Sequence, residues 1–390
     1  MKKDTLVTHA GRHPERFDGM VNTPVFRAST VTFPTVAEMG RRHASCYDLP
    51  YYGRYGTPTT LALEEAVAAV EGARFGVAVP SGMGAIAATL LTILRPGDHL
   101  LMVDSVYGPT RKFCDSALTR MGIETTYYDP LIGAGIAALM TPATKLVFCE
   151  SPGSLTFEVQ DIPAIAEAAH RTGALVALDN TWASPLFFAP FTKGVDLSIQ
   201  AATKYVVGHS DALLGTITLN DRTLYERLKE TLVMFGYSTG SEEAFLGMRG
   251  LRSLSARLER HQRNALAVAR WLQDQPEVAR VLYPALPDDP GHALWARDFT
   301  GASGLFGVLL NPASKAQVTA MLDGMTHFAM GFSWGGFESL ILATTGNIPR
   351  SARPWTWEGP SLRLHVGLED PEDLIADLRA GLDRLTREPA

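Results

Sequence analysis

Cysteine is scarce in this chain. Cys46, Cys114 and Cys149 are all there is, and three thiols without metal-ligand spacing make neither a zinc site nor a disulfide framework. No metal site is expected, and an odd count of this kind suits a reducing, cytoplasmic setting. Basic runs are missing as well. Thirty-five Lys and Arg stand against 41 Asp and Glu, for a net charge of −6, with no basic stripe to hold a nucleic acid. The opening MKKDTLVTHAGRHPERFDG has two lysines but no apolar core behind them, so it does not read as a secretory signal. The uncharged run Gly76–Leu94 is interrupted by Pro80, Ser81, Gly82 and Gly84 and reads as strand, turn and helix, not as a membrane span. Internal repeats and low-complexity segments are absent too.

What is present is a chain of 390 residues, 46% of them hydrophobic, enough for a large core and two or three structural units. Residues 1–56 read as an extended arm, rich in threonine, proline and β-branched residues around VNTPVFRASTVTFPT, of the kind that reaches a neighbouring subunit. A helical pattern begins at Thr59 and stops near Gly72. Then FGVAVP, HLLMVD, IETTYY, KLVFCE, ALVALD and DLSIQ follow as apolar strands, most of them separated by helices such as IPAIAEAAHRTG. That alternation predicts an α/β unit over 57–250, a mostly parallel sheet with helices on both faces. A helix-rich passage around Glu242–Gln273 leads into a smaller α+β unit, 251–390, with strands in VARVLYP, GLFGVLL and SLRLHVG and a last helix in PEDLIADLRAGLDRL.

Folds of this class carry their chemistry at the carboxyl ends of strands, and several conspicuous residues fall there. VAVPSGMGAIAATLL places the backbone N–H groups of Gly82, Met83 and Gly84 at a helix start, where an anion is welcome; small residues at a tight turn also serve purely structural ends. Asp179 closes the apolar strand ALVALD, a costly place for a carboxylate unless a cation meets it, although a helix cap reads equally well. Lys204, in QAATKYVVGHS, sits among small apolar residues and either snorkels to water or works as a neutral amine. Together the three form the minimum set for pyridoxal 5'-phosphate (PLP). Lysine bonds to the aldehyde as a Schiff base, aspartate pairs with the pyridinium nitrogen, and the helix start takes the phosphate, with Thr203 assisting. In SLRLHVG, Leu362, Leu364 and Val366 alternate to one face and leave Arg363 and His365 on the other, which is either a solvent face or a site.

SIQAATKYVVGHSDALLG, CESPGS, DNTWASPLF, SWGGFESL and SLRLHVGLED closely resemble the cystathionine β-lyases of the Cys/Met-metabolism family of PLP-dependent enzymes, and the likeness covers nearly the whole chain. It implies the aspartate-aminotransferase-like PLP fold type I and a homotetramer built from two tight dimers. It also implies cleavage of L-cystathionine to homocysteine, pyruvate and ammonia, a step of methionine biosynthesis and transsulfuration. By motif, Gly82, Met83 and Thr203 hold the phosphate, Tyr107 stacks on the pyridine ring, and Asp179 and Lys204 take the roles above. Tyr52 and Arg54 resemble the pair that reaches the neighbouring subunit's phosphate, so that each site needs two chains. Arg363 is similar to the residue that grips the substrate α-carboxylate, with Ser333 and Trp334 beside it. Lys204 is the expected proton carrier, and Tyr107 or Tyr52 an assistant.

Two departures matter. Many relatives have serine where Ala201 stands, so the phosphate should lean more on Thr203, the cradle and Arg54. The γ-synthases and γ-lyases typically show leucine at the place of Trp334 and asparagine at that of Thr57, which favours the β-lyase branch. The alternatives are a broader cysteine-S-conjugate or cystine β-lyase, a γ-lyase, and a PLP-binding regulatory protein; the last lacks a DNA-binding appendage. A nicotinamide dehydrogenase is excluded because SGMGAIAA stops short of G-x-G-x-x-G and leaves Lys204 unexplained. The partners expected are a small thioether amino acid and further copies of the chain, with no nucleic acid and no membrane.

Overall fold

The computed structural model describes residues 1–346 and 348–386. All six apolar runs of the first unit are strands: β1 (Phe75–Val79), β2 (His99–Val103), β3 (Glu124–Tyr128), β4 (Thr144–Glu150), β5 (Leu175–Asp179) and β6 (Leu197–Gln200). A seventh, β7 (Gly215–Leu219), joins them in the order β1-β7-β6-β5-β4-β2-β3. From β6 to β3 every pairing is parallel, while β7 lies antiparallel between β1 and β6. Every residue of β2 is buried, as expected of a sheet covered on both faces.

The sequence reading did not include β7. Its GTITL alternates threonine with aliphatic residues, the pattern of a half-wet strand, yet Thr216 and Thr218 are buried as fully as Ile217. The Thr218 hydroxyl donates to the buried Glu71 carboxylate, which removes the cost of enclosing it. Gly215 begins the strand because a Cβ there would lie 2.2 Å from the Ser81 carbonyl oxygen. The strand therefore runs tight against the turn that starts the Gly82–Ile93 helix.

The C-terminal unit is an antiparallel sheet, β8 (Val278–Leu282), β9 (Leu305–Leu310), β10 (Leu340–Ala343) and β11 (Ser361–His365), ordered β10-β11-β9-β8. The short β10 was also unforeseen, and it changes the meaning of SLRLHVG. With β10 on one side and β9 on the other, β11 has no free edge. Leu362, Leu364 and Val366 are buried on one face, and His365 is buried on the opposite one, so that face belongs to the molecule's interior and not to solvent.

The helices fall where the periodicity put them. Pro58–Glu71 begins at a Thr57 capping box and ends on Gly72 in the left-handed region; Ser241–Arg252 and Leu254–Gln273 connect the units, and Pro371–Leu385 is the last. Among the described residues, no helix is long and apolar enough to cross a membrane.

The N-terminal segment corrects the extended reading. Its longest stretch without helix or strand is residues 17–35. Lys3–His9 and Val36–Ala44 are helices, and the first docks on its own chain. It buries Val7 completely, donates from Lys3 Nζ to the Leu186 carbonyl, and receives Arg252 at the carbonyls of Val7 (2.7 Å) and Ala10 (2.9 Å). A seven-residue helix without a side-chain N-cap has little local stability. Packing against distant residues creates it, so no local pattern announced it.

Candidate active site

The carboxyl ends of β4, β5 and β6 meet the start of the Gly82–Ile93 helix. That helix is capped by Ser81, whose Oγ accepts from Gly84 N–H at 3.0 Å, while the Ser81 carbonyl accepts from Ala85 N–H at 3.0 Å. Gly82 and Met83 N–H have no partner among the described residues and stay available to an anion, at the positive end of the helix dipole. A Cβ on Gly82 would lie 2.5 Å from the Ala201 Cβ, so the helix start is pressed onto the turn that carries Lys204.

Asp179 ends β5 with its carboxylate buried. One oxygen, Oδ1, accepts from the Thr181 N–H (3.0 Å) and the Thr181 hydroxyl, which in turn accepts from Ala201 N–H at 2.8 Å. The other oxygen has no hydrogen bond and the carboxylate no ion pair among the described residues. Burial pushes its pKa up, partly offset by Thr181 and by the Lys204 charge. A buried acid with one oxygen unused is the fit expected for a ring N–H cation.

Lys204 follows β6 in the turn before β7. Its Nζ donates to Ser333 Oγ at 2.6 Å and lies 5.5 Å from the centre of the Trp334 ring. Burial, with help from the Arg363 charge and against Asp179, lowers its pKa from 10.5 to about 8. That brings the neutral amine within reach at ordinary pH. Arg363, on β11, donates to the Ser333 carbonyl at 2.9 Å and has no carboxylate partner among the described residues. Its pKa is lowered by burial, and an unpaired, largely enclosed guanidinium suits a substrate carboxylate. Tyr107 is half-exposed beside them; burial and the Glu150 carboxyl raise its pKa, with Arg363 opposing.

The other expected residues are placed less simply. The Thr203 hydroxyl donates to the Leu214 carbonyl at 3.1 Å and accepts from Leu214 N–H at 2.8 Å. A phosphate would have to draw that proton away. Tyr52 and Arg54 do not join Lys204 within the chain: Arg54 donates to the Val233 carbonyl at 2.6 Å and lies over the Tyr52 and Tyr55 rings. Thr57 caps its helix and bonds the Ser241 hydroxyl at 3.1 Å.

Two acids and a threonine were missed. Glu150 sits across from Asp179 in the β4–β5 register and accepts from Tyr107 N–H at 2.8 Å. Burial, then Asp179, pushes its pKa well above the usual carboxylate value, with the Tyr107 N–H opposing. The signal was available, since KLVFCE ends in an acid as ALVALD does. Thr181, which aims Asp179, is in the quoted DNTW. Asp104 closes β2 and accepts from the N–H groups of Ser351 (2.9 Å), Ala352 (2.8 Å) and Arg353 (3.1 Å) and from Arg111, tying the 351–353 segment over this end of the sheet. Among the described residues no cluster of His, Cys, Asp and Glu could hold a metal ion.

A parallel sheet with a lysine, an acid and an anion-binding helix start at its carboxyl ends defines a PLP-dependent enzyme. The family model described as "Cys/Met metabolism PLP-dependent enzyme" matches residues 4–383, and the chain belongs to that family. It is 50% identical over 382 residues to a putative cystathionine beta-lyase of Rhizobium johnstonii, covering 97% of this chain and 95% of that one. It is 43% identical over 393 residues to the cystathionine beta-lyase of Escherichia coli, covering 98% and 99%. The solved cystathionine gamma synthase of Xanthomonas oryzae pv. oryzae, in complex with aminoacrylate and cysteine, superposes with a TM-score of 0.90 at 32% identity, covering 99% and 98%. The PLP cofactor, the α/β fold of this class and a carbon–sulfur lyase activity, all expected from the motifs, stand.

Proposed function

We propose that the protein catalyses β-elimination of L-cystathionine, which with water gives homocysteine, pyruvate and ammonia. The observation that carries this reading is the state of three charges in one cleft. Lys204 rests on a hydroxyl, while neither Asp179 nor Arg363 has an ion-pair partner among the described residues. Left unpaired, the two charges are costly unless a ligand completes them.

When bound, PLP supplies the electron sink that makes Cα acidic and the Cβ–S bond labile. The rest falls to the chain. Asp179, through its unused oxygen, receives the ring N–H, and Gly82, Met83 and Thr203 receive the phosphate. Arg363 fixes the α-carboxylate and so aims the Cα–H bond. Lys204 Nζ, as the neutral amine, takes the α-proton and returns a proton to the departing sulfur. Ser333 Oγ steers the amine between these positions, and Tyr107, anchored by Glu150, covers the ring. Trp334 supports the β- over the γ-branch by its identity, as do the relatives' names.

We also read the assembly as a homotetramer in the cytoplasm, with 57–250 as the cofactor-binding domain and 251–390 as the C-terminal domain. The arm's service to a neighbour is narrowed to the Tyr52–Arg54 stretch, since the Lys3–His9 helix is occupied on its own chain. Support for the shared site is that Arg54 is bonded to the Val233 carbonyl and, among the described residues, to no group of the Lys204 cluster.

The test is turnover of L-cystathionine by the PLP-loaded protein. Pyruvate with homocysteine is the expected result. Cysteine with 2-oxobutyrate would move the assignment to γ-elimination. Pyruvate from cystine or other S-conjugates, with cystathionine inert, would make it the broader β-lyase.

A further inference from the structure

His365 is not explained by the chemistry above. It lies two residues beyond Arg363 on the same face of β11 and is completely buried. Its Nε2 is 3.1 Å from Gly335 N and 3.1 Å from the Gly336 carbonyl oxygen. One nitrogen cannot serve both in the neutral ring: it either accepts from the first or donates to the second.

A second buried histidine bears on the choice. His261 donates from Nδ1 to the Val366 carbonyl at 2.8 Å, which leaves its Nε2 a bare acceptor. That Nε2 and His365 Nδ1 are both enclosed without a partner among the described residues, on rings 5.2 Å apart. If His365 carried its proton on Nε2, two buried lone pairs would go unmet. With the proton on Nδ1 the two atoms have complementary roles, although they make no hydrogen bond with one another, and Nε2 is free to accept from Gly335 N–H. Burial first, then the charges of His261, Arg363 and Lys204, lower its pKa well below the ordinary histidine value, with the Gly336 carbonyl opposing.

The turn it grips is strained and close to the reacting amine. Ser333 has φ +79° and Gly335 φ +88°. A non-glycine residue in that region costs about 1–3 kcal/mol and persists only where its surroundings hold it. A Cβ on Gly335 would be 2.9 Å from the Lys204 Cα and carbonyl carbon, so the turn lies directly on the lysine's backbone. Arg363 holds one end, at the Ser333 carbonyl.

We propose that His365 is a positioning residue. As the acceptor for Gly335 N–H it fixes the 333–336 turn on Lys204, and thereby sets where Ser333 Oγ meets the lysine amine. This rests on the reading of the cleft given above.

The first experiment is ¹⁵N NMR of histidine-labelled wild type, with and without PLP. Protonated Nδ1 and bare Nε2 at His365 are expected; the reverse tautomer would overturn the proposal without any variant having to fold. The second compares His365→Leu with His365→Gln, whose amide oxygen can replace the acceptor. The Leu variant should lose about tenfold or more in kcat with KM within about threefold, and the pH midpoint of the visible band should move. The Gln variant should recover most of both. Equal losses in the two variants, or an unmoved midpoint and kcat in the Leu variant, would overturn it. A wild type that stays colourless with PLP overturns the reading of the cleft itself, and the proposal with it.

Discussion

Around the seven-stranded sheet an acid and a lysine are set close together twice, once fully buried and once with the lysine partly buried, and the two pairs are treated in opposite ways. Glu64 and Lys229 are both enclosed and in direct contact, Nζ lying 2.7 Å from each carboxylate oxygen, with Ala78 N–H on the carboxylate as well. Asp179 and Lys204 make no such contact; the acid is tied to Thr181 and the lysine to Ser333. A closed pair spends its charge on itself and leaves nothing for a ligand. An open pair holds charge that only a bound molecule completes, and its residues shift in pKa while they wait. Contact between charges thus marks scaffold here, and withheld contact marks site.

That contrast can be broken from either side. Lys204→Ala should abolish turnover, by about 10⁴-fold or more, and remove the visible band, with little change in unfolding free energy; a large loss of stability would make Lys204 scaffold after all. Lys229→Met should do the reverse. By stranding Glu64 it should cost about 3–5 kcal/mol in urea unfolding, while the folded fraction keeps its kcat. Asp179→Asn should reduce turnover by about 100-fold and weaken PLP retention, measured as the rate of cofactor loss on dilution. Arg363→Lys keeps the charge but not the planar fork, and should raise KM by about tenfold with a smaller effect on kcat.

The last test is of pH dependence. Without cofactor, the neutral fraction of Lys204 at pH 7 should exceed that of an ordinary lysine about 300-fold. An amine-directed reagent should accordingly label it with a midpoint near 8. The folded chain releases this proton near 8, the unfolded chain near 10.5. Between those values the unfolded state binds more protons, so this residue's contribution to stability rises with pH across that window. A labelling midpoint above 10 would refute the open-pair description.

β1, β2, β4, β5 and β6 could be read directly, because their apolar runs are largely buried on both faces. β7 and β10 could not, since a threonine-rich strand and a four-residue strand are stabilised by partners far away in sequence. The same division runs through the site. Asp179 and Lys204 stood out because each is a charge in an apolar setting, visible locally. Glu150 acts through its strand register and Thr181 through Asp179, and His365 lies beside a second histidine 104 positions earlier, information that exists only once the chain has folded. Tyr52 and Arg54 were legible as a motif alone, because among the described residues Arg54 bonds the Val233 carbonyl and no group of the Lys204 cluster.

The docking of the Lys3–His9 helix has a consequence for the order of events in synthesis. Its anchors, Leu186 and Arg252, lie 183 and 245 positions beyond the residues they hold. The segment is made long before the surface that receives it, and must wait, unsecured, while both connecting helices emerge. Closing that last long loop makes this helix a late arrival in folding, and an extension fused at its start would be felt first as slower maturation of the enzyme.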